Sequence, residues 1–412
     1  MKKNILIYIP TGLNTPELEI LISKAQDEIN NKNNIIILLC RGGGYYSCPK
    51  NIFSLNSICV ACKDRRKRGI DKLKGKFKLI YTPKITNNTK VSSDYFTFTK
   101  TYNYKFRGID NGLAAYGAYA ELTKDRDLDG FISGRTIKKL INTSNNLTVY
   151  FEEVIKKEKI DEIYLFNGRN NNYRPLLRLG KKHKIKTHNL EFNGDRNQVF
   201  DNESFLPFDT KYITKKINYF WKNNRNKKLN LINKYSKIWI KDQSIIHKDK
   251  FKVFQKPNLL PATWNNKKKN IVFFCNSDDE SVTGGKDYFF KISKDQYEII
   301  KIVYDIIKKK DNFKNIDLWI RMHPRMTGLK WPSLSRILDL KKEIKNLNLI
   351  EPKSKISSYE MLKKSDLIMA PISSLTIEAV NYGIPAINFQ AQHFTVLNGA
   401  YLPETKKELA KL

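Results

Sequence analysis

The stretch Ser365–Phe389, "SDLIMAPISSLTIEAVNYGIPAINF", decides the fold. "DLIMAP" is a short continuous apolar run, as in a strand buried on both faces of a parallel sheet. Pro371 stops it. Ser373 and Ser374 can open a helix, whose first N–H groups form an anion site. Gly383 ends that helix and Pro385 bars its continuation, so "PAINF" restarts as a strand. A strand, a crossover helix and a second strand in 25 residues make a β-α-β unit, which means a parallel sheet. Glu378 stands four residues after Ser374, on the same helix face. With Ser374 as cap it falls one position past the capping-box place, so capping does not account for it.

The same alternation runs outward. Towards the N-terminal side come "NIVFFC" (strand), "KDQYEIIKIVYDIIKKK" (amphipathic helix), "IDLWIR" (strand), "LSRILDLKKEI" (helix), "NLNLIEP" (strand) and "SSYEMLKKS", a short helix with a Ser357–Glu360 capping box. The first part of the chain repeats the pattern: "NILIYIP", a helix over "PELEILISKAQDEI" with Thr15 as cap, "NIIILLC", "KFKLIYTP", a mostly helical stretch over 100–158, "DEIYLFNGR", a helix at "YRPLLRLGKKHKI" and the strand and loop "KTHNLEFNG". At 412 residues two cores are expected. The pattern breaks at "KPNLLPATWNNKKK", which sets the expected boundary: an acceptor-side α/β domain over 1–260 with a cysteine-rich insertion, and a nucleotide-binding α/β domain over 261–412.

The chain carries 75 Lys+Arg against 41 Asp+Glu, a net charge of +34. Nucleic-acid binding would cluster that charge around stacking aromatics, but the lysines are scattered and no nucleic-acid motif is present. Attraction to an anionic membrane surface or to anionic substrates is a second reading. Drift towards Lys, Asn and Ile is a third. No apolar run approaches the ~20 residues of a membrane span, and "MKKNILIYIPTG" lacks a cleavage site. A cytoplasmic protein is expected, with a place on the inner face of the cell membrane.

Four of the five cysteines, Cys40, Cys48, Cys59 and Cys62, fall within 23 residues. Cys59 and Cys62 form a C-x-x-C pair, a spacing that suits a structural zinc or iron–sulfur site. Four unremarkable thiols are the other reading.

Open α/β sheets bind ligands outside the carboxyl ends of their strands. That places Ser277 and Asp278 just past "NIVFFC", His323 just past "IDLWIR", and Ser373 and Ser374 just past "DLIMAP". Arg321, His323 and Arg325 in "RMHPR" would suit a phosphate, with charge from arginine and a directional hydrogen bond from histidine.

"RMHPR", followed about 50 residues later by "SDLIMAPISSLTIEAVNYGIPAINF", resembles the donor half of GT-B glycosyltransferases. More narrowly it is similar to the capsule and lipopolysaccharide biosynthesis group that includes bacterial Kdo transferases. The resemblance implies two Rossmann-like domains facing a cleft. It implies donor binding by Ser277, Arg321, His323, Arg325, Ser373, Ser374 and Glu378, with His323 and the helix start on the nucleotide phosphate and Glu378 on the ribose. It implies transfer from a CMP- or UDP-linked sugar to a glycan or lipid-linked acceptor, with no catalytic metal. A base for the acceptor hydroxyl would come from the N-terminal domain. Glu17, Glu191 and Asp195 are the candidates, Glu191 first. The alternatives are a CDP-polyol phosphotransferase, a UDP-sugar 2-epimerase-like enzyme, and a basic RNA- or polysaccharide-binding protein.

Overall fold

The computed structural model describes residues 2–412 except 43–47, 49, 52–54, 84–90, 92–96, 124–130, 193–197, 208, 225, 226, 228, 229, 231, 232, 234–253, 278–281, 286, 287, 327–331, 345, 346, 393 and 394. The chain divides into two compact units, Met1–Pro207 and Phe208–Leu412. The sequence break at 260/261 lies inside the second unit, after its first helix and just before its first strand.

The first unit runs β1 (Asn4–Ile9), α1 (Glu17–Asn30), β2 (Asn34–Leu39), α2 (Asn56–Ile70), β3 (Lys78–Tyr81), α3 (Phe98–Asn103), α4 (Asn111–Thr123), α5 (Phe131–Glu158), β4 (Glu162–Phe166), α6 (Arg174–Lys182), β5 (Lys186–Phe192) and β6 (Val199–Asp201). Its strands lie in the order β3-β2-β1-β4-β5-β6. All neighbours pair parallel except β5 and β6. β1 shows why the sheet is buried on both sides. Ile5, Ile7 and Ile9 face Leu18, Leu21 and Ala25 of α1, while Leu6 and Tyr8 face Leu147 and Phe151 of α5 and Leu176 and Leu177 of α6. Each of the Ile, Leu and Phe side chains taken fully out of water stabilises the fold by about 1.5–3 kcal/mol.

The second unit opens with α7 (Thr210–Asn223) and continues as β7 (Lys269–Phe274), α8 (Gln296–Lys308), β8 (Ile316–Arg321), α9 (Pro332–Glu343), β9 (Asn348–Ile350), α10 (Ser358–Lys363), β10 (Leu367–Ala370), α11 (Ser374–Asn381), β11 (Ala386–Asn388) and α12 (Lys406–Lys411). Its five strands are ordered β11-β10-β7-β8-β9, all parallel. One face packs on α8 and α9 through Ile299, Ile300, Val303, Ile337 and Leu340; the other packs on α10 and α11 through Met361, Leu362 and Ala379. Each unit is thus a doubly wound, Rossmann-like α/β domain, as expected from the alternation.

Two details differ from the sequence reading. Thr15 does not cap α1; its hydroxyl accepts from Arg65 at 2.7 Å. The antiparallel edge strand β6 is three exposed residues and leaves no period to read. The Ser357 cap forms as expected, accepting from the Glu360 N–H at 3.1 Å.

Candidate functional site

Strand order reverses once in each sheet, and the loops on either side of that point open the crevice in which such sheets take ligands. In the first sheet it lies between β1 and β4. In the second it lies between β7 and β10. Both places carry buried polar side chains.

In the first unit, Glu17 starts α1 immediately after the β1 loop and is 3% exposed. Asn14 Nδ2 donates to its Oε2 at 2.8 Å, and the buried Tyr173 hydroxyl donates to its Oε1. Burial pushes the carboxyl up to about 7; the Tyr173 and Asn14 hydrogen bonds and Lys50 pull the other way, and the nearby Glu191 carboxylate adds to the rise. The Tyr173 phenol is pushed far up by burial and by Glu17. Across the reversal, β4 is followed by Asn167 and Gly168, both left-handed at φ 63° and 66°. That turn sends Asn167 Nδ2 onto Glu191 Oε2, while Arg169 Nε donates to Asn167 Oδ1 at 2.7 Å. Burial raises the Glu191 carboxyl too, against Arg169 and Asn167. The first-choice base Glu191 and the second candidate Glu17 therefore share one electrostatic site. Asp195 lies outside the described residues. His188, which precedes Glu191 on β5, points elsewhere: its ring nitrogens meet Asp201 at 2.5 Å and Glu162 at 3.3 Å.

Gly168 tolerates no side chain. A Cβ there would stand 2.6 Å from Leu177 Cδ2 and 3.0 Å from Asn189 Nδ2, on a backbone that L-residues avoid. Gly168→Ala is expected to cost about 2–4 kcal/mol in thermal unfolding. An unchanged melting temperature would remove the tight turn from the account of how Asn167 reaches Glu191.

In the second unit, Ser277 follows β7 and is 1% exposed. Ser373 is the N-cap of α11, accepting from the Leu375 N–H at 3.2 Å; Ser374 is the first helical residue and is exposed. Glu378 is buried on the same helix. These residues flank the reversal between β7 and β10. His323 follows β8, the next strand over, half-buried in a turn closed by the Met326 N–H on its carbonyl at 2.9 Å. Asp278 and the side chain of Arg325 lie outside the described residues.

Arg321 goes elsewhere. It is 1% exposed, on the side of β8 that carries Trp319, and donates to the Glu351 carbonyl at 2.5 Å and to Ser358 Oγ at 3.3 Å. Burial lowers its pKa to about 10. Its charge ties the end of β9 to the start of α10.

The cysteines also fall differently from a ready-made cage. Cys40 and Cys48 pack against the core under α5, and Cys59 and Cys62 sit on α2. Among the described residues no group of three or more His, Cys, Asp or Glu is gathered so as to hold a metal ion.

The class these features define is a pair of doubly wound α/β domains, each with buried polar groups where its strand order reverses. No protein-family model and no curated protein matches the chain. Solved structures do match. The UDP-GlcNAc 2-epimerase of Methanocaldococcus jannaschii, in complex with UDP-GlcNAc and UDP, is 15% identical over 100% of this chain and 91% of that one, with a TM-score of 0.32. The UDP-GlcNAc 2-epimerase of Neisseria meningitidis, bound to UDP-GlcNAc, is 11% identical over 99% and 89%, at 0.30. The beta Kdo 2,7 transferase KpsC of Thermosulfurimonas dismutans is 12% identical over 62% and 73%, at 0.37. At these TM-scores the likenesses carry no argument about function.

Proposed function

We propose that the chain is a glycosyltransferase that moves a sugar from a nucleotide sugar to a cell-surface glycan or lipid-linked acceptor. The observation that carries the reading is the Ser373-capped helix with Glu378 buried along it, flanking the strand reversal of the second sheet. A helix start of this kind favours the phosphate, and a carboxylate one turn further on favours a ribose hydroxyl. His323 would donate to the departing nucleotide phosphate, so that charge is stabilised where it develops. Glu17, with a pKa near neutrality, is poised to take the proton of an acceptor hydroxyl. Helix α7 supports a membrane-linked acceptor: Tyr219, Phe220 and Trp221 are exposed beside Lys215, Lys216 and Lys222, a composition suited to an anionic lipid surface.

A second reading is favoured by one observation. Glu17, buried, and Glu191, half-buried, are two carboxylates with raised pKa values in one unit, which is what an epimerase needs to remove and return a proton on a sugar.

Thermal shift against CMP, UDP, GDP and CDP, with wild type and His323→Ala, tests the site. One nucleotide is expected to raise the wild-type melting temperature, and the variant is expected to lose at least about tenfold in affinity, the loss of one charge-assisted hydrogen bond. The matching nucleotide sugar then separates the readings. Release of nucleotide only with an acceptor glycan supports transfer; conversion of the sugar without acceptor supports the epimerase. No stabilisation by any nucleotide, with tight salt-sensitive binding of RNA or acidic glycan, overturns both.

A further inference from the structure

The two oxygens of Glu17 are held by side chains from different elements. The Tyr173 hydroxyl, at the start of α6, donates to Oε1, and Asn14 Nδ2, on the loop after β1, donates to Oε2 at 2.8 Å. Tyr173 is buried, whereas Asn14 is half-buried. Oε1 therefore faces the interior of the first unit, and Oε2 faces the edge from which a ligand can approach.

Tyr173 is fixed without any ligand. Its ring meets Tyr8 edge-on, with centroids 5.8 Å apart, in the buried cluster that holds Phe151, Leu176 and Leu177. The Tyr173 and Arg174 N–H groups close on the Asn170 carbonyl at 3.2 and 2.9 Å, and Arg174 is tied to Asp110. A ring so held aims its hydroxyl in one direction with little side-chain entropy left to lose. Burial and then Glu17 push the phenol far up, with Tyr8 and Cys48 adding to the rise, so it keeps its proton and stays a donor. On Glu17 itself burial raises the carboxyl. Tyr173 is the largest of the groups that oppose the rise, ahead of Asn14 and then Lys50, and Glu191 adds to it. Glu19, on the same helix, is exposed and paired with Arg65.

We propose that Tyr173 is the positioning residue for the base: its hydroxyl holds Glu17 Oε1 from the buried side and presents Oε2, beside Asn14, to the proton that is removed. The inference rests on the reading of Glu17 as the base, and it holds for transfer and epimerisation alike. The substrate proton ends on Oε2, and the phenol proton stays on Tyr173. A hydrogen bond from the phenol stabilises the ionised carboxylate, so it also decides the pH at which the base is available. A group whose folded pKa is raised favours the folded state while protonated and loses that contribution as pH rises through the folded value. Without the phenol the carboxyl is harder still to ionise, and Tyr173→Phe moves that loss to higher pH.

The test compares wild type and Tyr173→Phe, each with its Glu17→Gln counterpart, by urea melts of the full chain from about pH 5 to about pH 10. In the wild-type pair the stability difference is lost through about pH 7. In the Tyr173→Phe pair the window is expected at least about one pH unit higher, since a hydrogen bond to a charged group shifts an ionisation equilibrium about tenfold or more. Turnover of the nucleotide sugar whose CMP, UDP, GDP or CDP moiety stabilises the protein is the second readout. Its kcat at pH 7 is expected to fall at least about fivefold and to recover by about pH 9.5, with KM within about twofold. An unmoved stability window overturns the inference, whatever turnover does. A window that moves while the acid limb of the turnover profile stays in place removes Glu17 as the base, and Tyr173's part in the reaction with it. Should Tyr173→Phe fold only at low pH, or only together with Glu17→Gln, the phenol is what supports the ionised carboxylate, as proposed. Failure to fold at any pH, with or without Glu17, makes Tyr173 a packing residue and overturns the proposal.

Discussion

Glu17→Gln is expected to lower turnover by about 10²–10⁴-fold while leaving nucleotide-induced stabilisation intact, the range for loss of a positioned general base. The split follows from placement: Glu17 belongs to the first unit and the residues proposed to bind the nucleotide belong to the second. The same variant has a second signature, in stability. The folded carboxyl titrates near 7 and its unperturbed value is 4.5. A raised folded pKa means that the group favours the folded state while protonated. Its contribution is complete below about pH 4.5 and is lost as pH rises through 7. The wild type should therefore lose about 3 kcal/mol relative to Glu17→Gln between pH 4 and pH 8, other carboxylates cancelling in the difference. Urea melts of both proteins across that range measure it. Parallel stability curves would show that Glu17 titrates normally, and the base would then be sought at Glu191.

The sequence made the second unit more legible than the first. Its strands are short apolar runs and its helices have caps or amphipathic stripes, so β7 to β11 read directly from pattern; the start of α11 read as Ser373 or Ser374, and Ser373 rather than Ser374 is the cap. Arg321 was legible in principle. Along β8 the side chains of Leu318 and Ile320 meet α8 and α9 while Trp319 meets α10, and Arg321 shares the parity of Trp319. Alternation thus places it on a buried face of the sheet, whereas the bare motif "RMHPR" sets it beside His323. Glu17 and Tyr173 were not legible as a pair. They are 156 residues apart and meet only because β1 and β4 are sheet neighbours, the two strands at which the order reverses. No local spacing carries that contact. Nor does spacing carry burial, and burial is what moves the Glu17 carboxyl.

Asp110→Ala is expected to destabilise the first unit by about 3–5 kcal/mol, the cost of removing one partner from a buried ion pair. Asp110 Oδ2 accepts from Arg174 Nη2 at 2.7 Å and Nε at 2.9 Å, and Oδ1 accepts from Arg178 Nε at 3.1 Å. Burial alone would raise its pKa, but Arg174 and then Arg178 outweigh it and hold the carboxyl well below the usual range. Arg174 is 1% exposed, so the truncation leaves a charge that water cannot reach. The damage should also extend to the site. Arg174 is the first residue of α6 and Tyr173 is its N-cap, so the ion pair fixes the turn from which Tyr173 donates to Glu17. Asp110→Ala is therefore also expected to change the pH window over which the Glu17-dependent stability is lost. A loss below about 1 kcal/mol would mean that Arg174 finds another partner, and the ion pair would then be an ornament of α6 rather than its anchor.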